Sequence, residues 1–379
     1  MKTKYFKISI GLLLVFFVGC KKEDSDKIVK TTQSKNLIAF AKGLSINEHK
    51  GFSVLKVSNP WPKANKTYTY ILRKNGSEIP DSLAQNIIID VPIKSIVVTS
   101  TTHLPSLEML GVEKTLVGFP NLDYISSEKI RTRIDAKKIA ELGNNQDLNI
   151  EKTIELSPTV VVGYGIDNSN KMLDNLSKSG QKILLNGDWN EETPLGKAEW
   201  IKFFGALYGK EKLATAIFDK IANDYKNTQA IAKKATTIPT VLSGAMFQDV
   251  WYMPTGNSWG SIILADANAN YLWKNSAGTG SLNLNFETVL ERAQLADFWI
   301  QGQFSSFDEI EKANKHYKKF KAFQTKNVYS FASKKGKTGG VLFYELAPNR
   351  PDLLLKDMVK ILHPNLLIGY KPFFVTKLQ

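Results

Sequence analysis

Apolar positions along the chain change rhythm several times, and each rhythm predicts a different kind of element. Residues 8–18 form an apolar run broken only by Ser9 and Gly11. That run is shorter than the roughly 20 apolar residues needed to span a bilayer. Over residues 36–92 the pattern becomes strand-like, as in Phe52-Ser53-Val54-Leu55-Lys56-Val57 and Thr67-Tyr68-Thr69-Tyr70-Ile71-Leu72. Turn residues at Asn59-Pro60 and Asn75-Gly76 punctuate it, which predicts an N-terminal β-hairpin extension. From residue 93 short apolar runs at 96–98, 116–119, 160–162 and 183–185 alternate with helical spacing at 104–110, 149–156 and about 170–178. A long helical zone covers 194–237, opened by Pro194, interrupted at Gly209 and ended near Pro239. Leu213, Ile217, Ile221 and Tyr225 recur there at every fourth position. Strand runs return at 241–242, 250–252, 298–300 and 328–329. Alternating β and α units imply mostly parallel sheets covered on both faces. The predicted class is α/β: an N-lobe over 93–193 and a C-lobe over 238–379, joined by a single long helix.

The first residues change this picture from fold to location. Lys2, Lys4 and Lys7 precede the apolar run, which has the length of a signal-peptide core and predicts a cleaved segment over residues 1–19. It ends in Phe17-Val18-Gly19-Cys20, which resembles a bacterial lipobox with Phe17 where leucine is usual. Cys20 is the only cysteine in 379 residues. It is the expected lipidation site, and a lone cysteine excludes an intramolecular disulfide. Residues 20–35 are polar and charged and read as a flexible tether. The chain is thus expected to be a membrane-anchored lipoprotein facing the periplasm. The Lys21-Lys22-Glu23-Asp24 cluster resembles the export signal of some surface lipoproteins and keeps cell-surface exposure open. A formal net charge of +14 favours anionic membranes or ligands. No helix-turn-helix or aromatic RNA-binding motif points to nucleic acid, and no Walker A sequence supplies an ATPase.

Two segments carry a resemblance. Asn149-Ile150-Glu151-Lys152-Thr153-Ile154-Glu155-Leu156-Ser157-Pro158 leads into Val160-Val161-Val162. Leu284-Asn285-Phe286-Glu287-Thr288-Val289-Leu290 is followed by Ala296-Asp297-Phe298-Trp299-Ile300. With the helical zone between them, they resemble matching segments of the iron-siderophore and vitamin B12 substrate-binding proteins of ABC importers, over roughly residues 93–379. The resemblance implies a non-enzymatic, monomeric receptor without a cofactor. It would hand a ferric siderophore, haem or cobalamin to a permease and its ATPase. It also implies that Glu151 and Glu287 project from the two lobes toward arginines of the permease. First-turn glutamates are also favoured by the helix dipole alone.

Ligand contacts are expected between the lobes, on loops after the strand ends. These loops offer Thr102 and His103, then Tyr164, then Trp189, then Trp251 and Trp259, then Tyr344 and Arg350. Aromatics give large flat contacts at little entropic cost. Arg350 suits a ligand carboxylate, or else an ion pair with Asp352 or Glu345.

Two rivals remain open at this level. Gly256-Asn257-Ser258-Trp259-Gly260 has the G-x-S-x-G form of an α/β-hydrolase elbow, and Asp297 or Asp308 with His363 completes the order of a catalytic triad. That reading makes the chain an esterase using Ser258. The other rival is a receptor for a bare metal ion, for which only His49, His103, His316 and His363 are available, without paired spacing.

Overall fold

The computed structural model describes residues 35–145, 148–165, 167 and 171–379. The expected signal peptide, Cys20 and the start of the helix predicted near 170 lie outside the described residues. No helix among the described residues is long and apolar enough to cross a membrane.

The N-terminal extension is a four-stranded sheet in the order β1 (Leu44–His49), β2 (Phe52–Ser58), β3 (Thr67–Lys74) and β4 (Ile87–Val91). The first three strands form an antiparallel meander, and β4 returns parallel to β3. The sequence pattern suggested a hairpin. It missed β4 because a parallel neighbour needs no tight turn, only the excursion that the 3-10 turn Asp81–Leu83 provides.

The next sheet runs β7-β6-β5-β8-β9 and is wholly parallel. Its strands are β5 (Ile96–Val98), β6 (Leu116–Phe119), β7 (Ala140–Glu141), β8 (Val160–Gly163) and β9 (Ile183–Leu185). Ile96 to Val98 and Val160 to Val162 are fully buried, as expected for strands covered on both faces. Around them lie α1 (Leu104–Met109), α2 (Glu128–Asp135), α3 (Ile150–Leu156) and α4 (Lys171–Lys178).

The helical zone is divided into α5 (Pro194–Glu199), α6 (Ile201–Leu207) and α7 (Glu211–Ala232). Gly209 takes the left-handed conformation, with φ +62°, between α6 and α7. The 22 residues of α7 span about 33 Å. Its buried stripe includes Ala214, Phe218, Ile221 and Tyr225, and it packs on α6 and on α13 (Pro351–Leu362).

Beyond it, a second sheet runs β13-β10-β15-β16-β17, parallel except for its last strand. These strands are β10 (Thr240–Ser243), β13 (Asn270–Tyr271), β15 (Phe298–Gln301), β16 (Val328–Ser330) and β17 (Thr376–Lys377). The strand expected at 250–252 belongs elsewhere. β12 (Val250–Pro254) lies between β11 (Ala245–Phe247) and β14 (Ser281–Leu284) in a small antiparallel sheet. The helices here are α8 (Trp259–Asp266), α9 (Phe286–Ala293), α10 (Phe307–Ala313), α11 (Lys321–Gln324) and α12 (Leu342–Leu346), then α13.

One apolar cluster runs continuously from Leu44 through Phe203 and Phe204 to Leu378, so the two α/β halves share a core. Polar bridges add to it. Asn349 accepts from the Ser106 hydroxyl and donates to the Thr102 carbonyl. The backbone N–H of Ser126 donates to buried Glu345 at 2.6 Å, and Thr338 bonds the Asp123 carbonyl.

Candidate functional site

Both parallel sheets end against a common cleft. The residues following β5, β6 and β8 wall a cavity of about 420 Å³, among them Thr101, Pro120 and Tyr164. A larger cavity of about 610 Å³ lies where β9, β10, β15 and β16 end, with Trp189, Gly244, Ile300 and Phe331 on its walls. Tyr344 lines both spaces. Ligand sites in α/β folds form at such strand ends. A wider groove of about 1010 Å³ runs beside α1, α2 and residues 333–337. Two ion pairs lie along it, Lys337 with Asp135 and, at its edge, Lys129 with Glu113.

The predicted ligand residues divide between wall and core. Trp189 is 39% exposed, and its indole N–H donates to the Gly165 carbonyl at 3.1 Å, which fixes the ring at the cavity wall. Trp259 stacks against Phe343 with ring centroids 6.0 Å apart. Tyr344, on α12, is 55% exposed. Tyr164 lines the smaller cavity, and burial pushes its phenol upward.

Trp251 is a correction: it is fully buried, not at the cleft. Its indole N–H bonds the Ser243 carbonyl, and its ring packs on Trp299, Tyr317 and Phe320. Successive side chains of a strand face opposite ways, and on β12 it is exposed Tyr252 that lines the cavity. His103 is likewise fully buried, 4.0 Å from Asp188, and desolvation holds its imidazole below the usual range despite that neighbour. Thr102 turns its hydroxyl to Asp188 at 2.7 Å, and the cavity wall is Thr101 instead. Arg350 forms a bidentate pair with Asp352, at 2.9 and 2.8 Å. Asp352 is fully buried in the first turn of α13 and takes the nearest guanidinium, so Arg350 does not line the cleft.

Lys197 was missed. It lines the larger cavity and is only 6% exposed. Its ammonium donates to the carbonyls of Asp188 at 3.0 Å and Trp189 at 2.7 Å, and lies 5.8 Å from the Trp259 ring centroid. Desolvation brings it down to about 8, against the opposing pull of Asp188 and Glu191. The available signal was its helical spacing to Trp200 and Ile201, which puts a lysine on the buried face of its helix. Glu191, also on the cavity wall, accepts from the backbone N–H of Lys42 and Gly43 and from the Trp200 indole.

Glu151 and Glu287 occupy matching local settings. In α3, Asn149 caps the backbone N–H of Lys152; in α9, Asn285 caps that of Thr288. Each glutamate is exposed at the second position of its helix.

The hydrolase arrangement is not assembled. Ser258 caps α8 and donates its hydroxyl to the Thr255 carbonyl at 2.7 Å. His363 bonds the Ala267 carbonyl beyond the other end of the same helix, about 13.5 Å along its axis. Asp297 is engaged by Thr240 and Lys321, and Asp308 sits in the first turn of α10. The bare-metal reading finds no donor set either. Among the described residues no group of three or more His, Cys, Asp or Glu side chains is placed to hold an ion.

The cleft geometry has counterparts. A family model described as "Periplasmic binding protein" matches residues 96–334. An uncharacterised lipoprotein of Methanocaldococcus jannaschii is 26% identical over 323 residues, covering 81% of this chain and 75% of the relative. A possible iron-binding, periplasmic solute-binding protein from Staphylococcus epidermidis superposes with a TM-score of 0.55 at 18% identity, over 72% of this chain and 99% of its own. A periplasmic haem-binding protein from Pseudomonas aeruginosa gives 0.57 at 16% identity, over 76% and 98%. With its two parallel sheets ending on one cleft and the family match spanning most of the chain, this protein belongs to the periplasmic binding protein family.

Proposed function

We propose that this protein is the receptor of an ABC importer for a metal chelate, a ferric siderophore, haem or cobalamin, which it captures without chemical change and passes to a permease driven by its ATPase. The observation that carries this reading is the aromatic wall of the larger cavity. Trp189, Tyr252, Trp259 and Tyr344 present broad, partly exposed surfaces there, with a buried ammonium among them. Such a surface suits a large, flat, net-anionic ligand better than a sugar, whose hydroxyls want many paired polar groups. The iron and haem in the names of the structural neighbours accord with this choice.

Capture takes place between an N-lobe of residues 93–193 and a C-lobe of residues 238–379. Residues 194–237 join them and the β-extension of 36–92 precedes them. Glu151 and Glu287 meet the permease. Exposed ion pairs contribute only about 0.2–1 kcal/mol each, which suits a receptor that must release after delivery. Cys20 carries the lipid that holds the protein at the membrane, facing the periplasm or the cell surface, with residues 20–35 as the tether.

Titration with ferric siderophores, haemin and cobalamins tests the ligand. Tryptophan emission should fall saturably with one of them at micromolar concentration or below. Calorimetric binding of a sugar or amino acid with no response to any chelate rules the chelate reading out.

A further inference from the structure

The larger cavity contains a charge that no described residue neutralises by contact. Among the described residues no carboxylate lies within 4.0 Å of the Lys197 ammonium, although ion pairs at that range form elsewhere on the chain. An ammonium has three N–H donors. Two are taken by the Asp188 and Trp189 carbonyls, and the group sits at the wall of a largely apolar space. A buried cation of this kind is unfavourable unless something compensates it.

The charged groups acting on it are Asp188 and Glu191. Asp188 accepts the Thr102 hydroxyl through one oxygen, and its other oxygen is buried without a hydrogen bond, 4.0 Å from His103 and beyond contact of the ammonium. Glu191 is bonded to two backbone N–H groups and the Trp200 indole. The helices packed on α5, which are α6, α7, α8 and α13, place no charged side chain on the cavity wall. α8 and α13 present Trp259, Ile263, Leu354 and Met358 to the cavity, and on α7 Asp224 pairs with Lys220 while Tyr225 bonds Asp266.

We propose that Lys197 is the charge-reading residue of the cleft, giving its remaining N–H to an anionic oxygen of the ligand and so selecting anionic chelates over neutral ones of similar size. This rests on the receptor reading above and adds to it a specificity residue and a pH dependence. The unliganded amine titrates near 8 because burial disfavours its charge. A bound anion favours the protonated form and raises that value. Affinity for an anionic ligand is therefore full below about 8 and declines as pH rises above it, until the amine of the complex also loses its proton.

The test uses the whole chain with ferric enterobactin, a trianionic tris-catecholate; ferrichrome, a neutral tris-hydroxamate; cyanocobalamin; haemin; and haemin dimethyl ester, which lacks the free carboxylates. Tryptophan quenching is followed from pH 6.5 to 9.5. Wild type should prefer an anionic member, and that affinity alone should fall at high pH. Lys197→Met should weaken it about 10- to 100-fold, the loss expected for a charged hydrogen bond, and leave a neutral chelate unaffected. Lys197→Arg, which stays charged across this range, should keep the affinity and lose the pH dependence. That arginine profile stands even if the methionine variant folds poorly. Equal losses for neutral and anionic chelates, or a pH profile unchanged in Lys197→Arg, would show Lys197 to be packing only. Binding of chelates without regard to charge overturns this inference and leaves the receptor reading intact. Binding of none overturns both.

Discussion

The most demanding prediction concerns Glu199, a fully buried carboxylate on α5 that fastens the start of the described chain to the linker helices. It accepts the backbone N–H groups of Ala39, Phe40 and Ala41, the closest at 2.6 Å. It also pairs with the Lys202 ammonium at 2.8 Å, and Lys202 reaches back to the Leu37 carbonyl at 2.9 Å. Glu199→Ala therefore leaves a cation that is only 5% exposed without its partner, together with three unpaired amides, two of them on the half-buried residues Phe40 and Ala41. Removing one member of a buried ion pair typically costs about 3–5 kcal/mol, because the desolvated partner remains. The value applies because neither group can reach water without displacing residues 37–41.

Urea unfolding followed by tryptophan emission measures the loss. With a slope near 3 kcal/mol per molar, the midpoint should fall by roughly 1–1.7 M at unchanged slope. Glu199→Ala combined with Lys202→Met should recover part of the loss, since the unpaired charge is then gone. Limited proteolysis should cut the single variant between residues 36 and 43 before the body unfolds. A midpoint shift below that for about 1 kcal/mol, or no recovery in the double variant, would mean that these bonds do not hold the segment.

Other outcomes separate core from cleft and body from anchor. Trp251→Ala should cost about 3–5 kcal/mol of stability as a core deletion, read by urea unfolding, whereas Trp189→Ala should leave the midpoint nearly unchanged and weaken chelate binding in the quenching titration. Glu151→Ala with Glu287→Ala should abolish uptake of labelled chelate by cells while leaving its affinity for the purified receptor as in wild type; normal uptake removes both residues from the docking surface. Labelled palmitate should appear on the wild-type chain and not on Cys20→Ala, and label on that variant would place the anchor elsewhere.

What the chain determines by itself is whatever depends on near neighbours in sequence. The runs Ile96-Val97-Val98 and Val160-Val161-Val162 have to be strands buried on both faces, since they carry no polar side to turn outward. Asn149 and Asn285 mark helix starts because their side chains cap the backbone three residues on. The lipobox-like stretch and the alternation that predicts an α/β class are local in the same sense. Which loop residues face the cleft is decided only when distant segments meet. Trp251 and Tyr252 are adjacent and equally plausible as wall residues, and the pairing of β12 between β11 and β14 sends one into the core and the other outward. Arg350 is open to a ligand carboxylate or to a neighbouring acid until Asp352 is buried beside it. Lys197 looks ordinary until α8, α13 and the turn after β9 close around it. A charge takes its character from the groups and the water around it, and for these residues the tertiary structure brings together one and excludes the other.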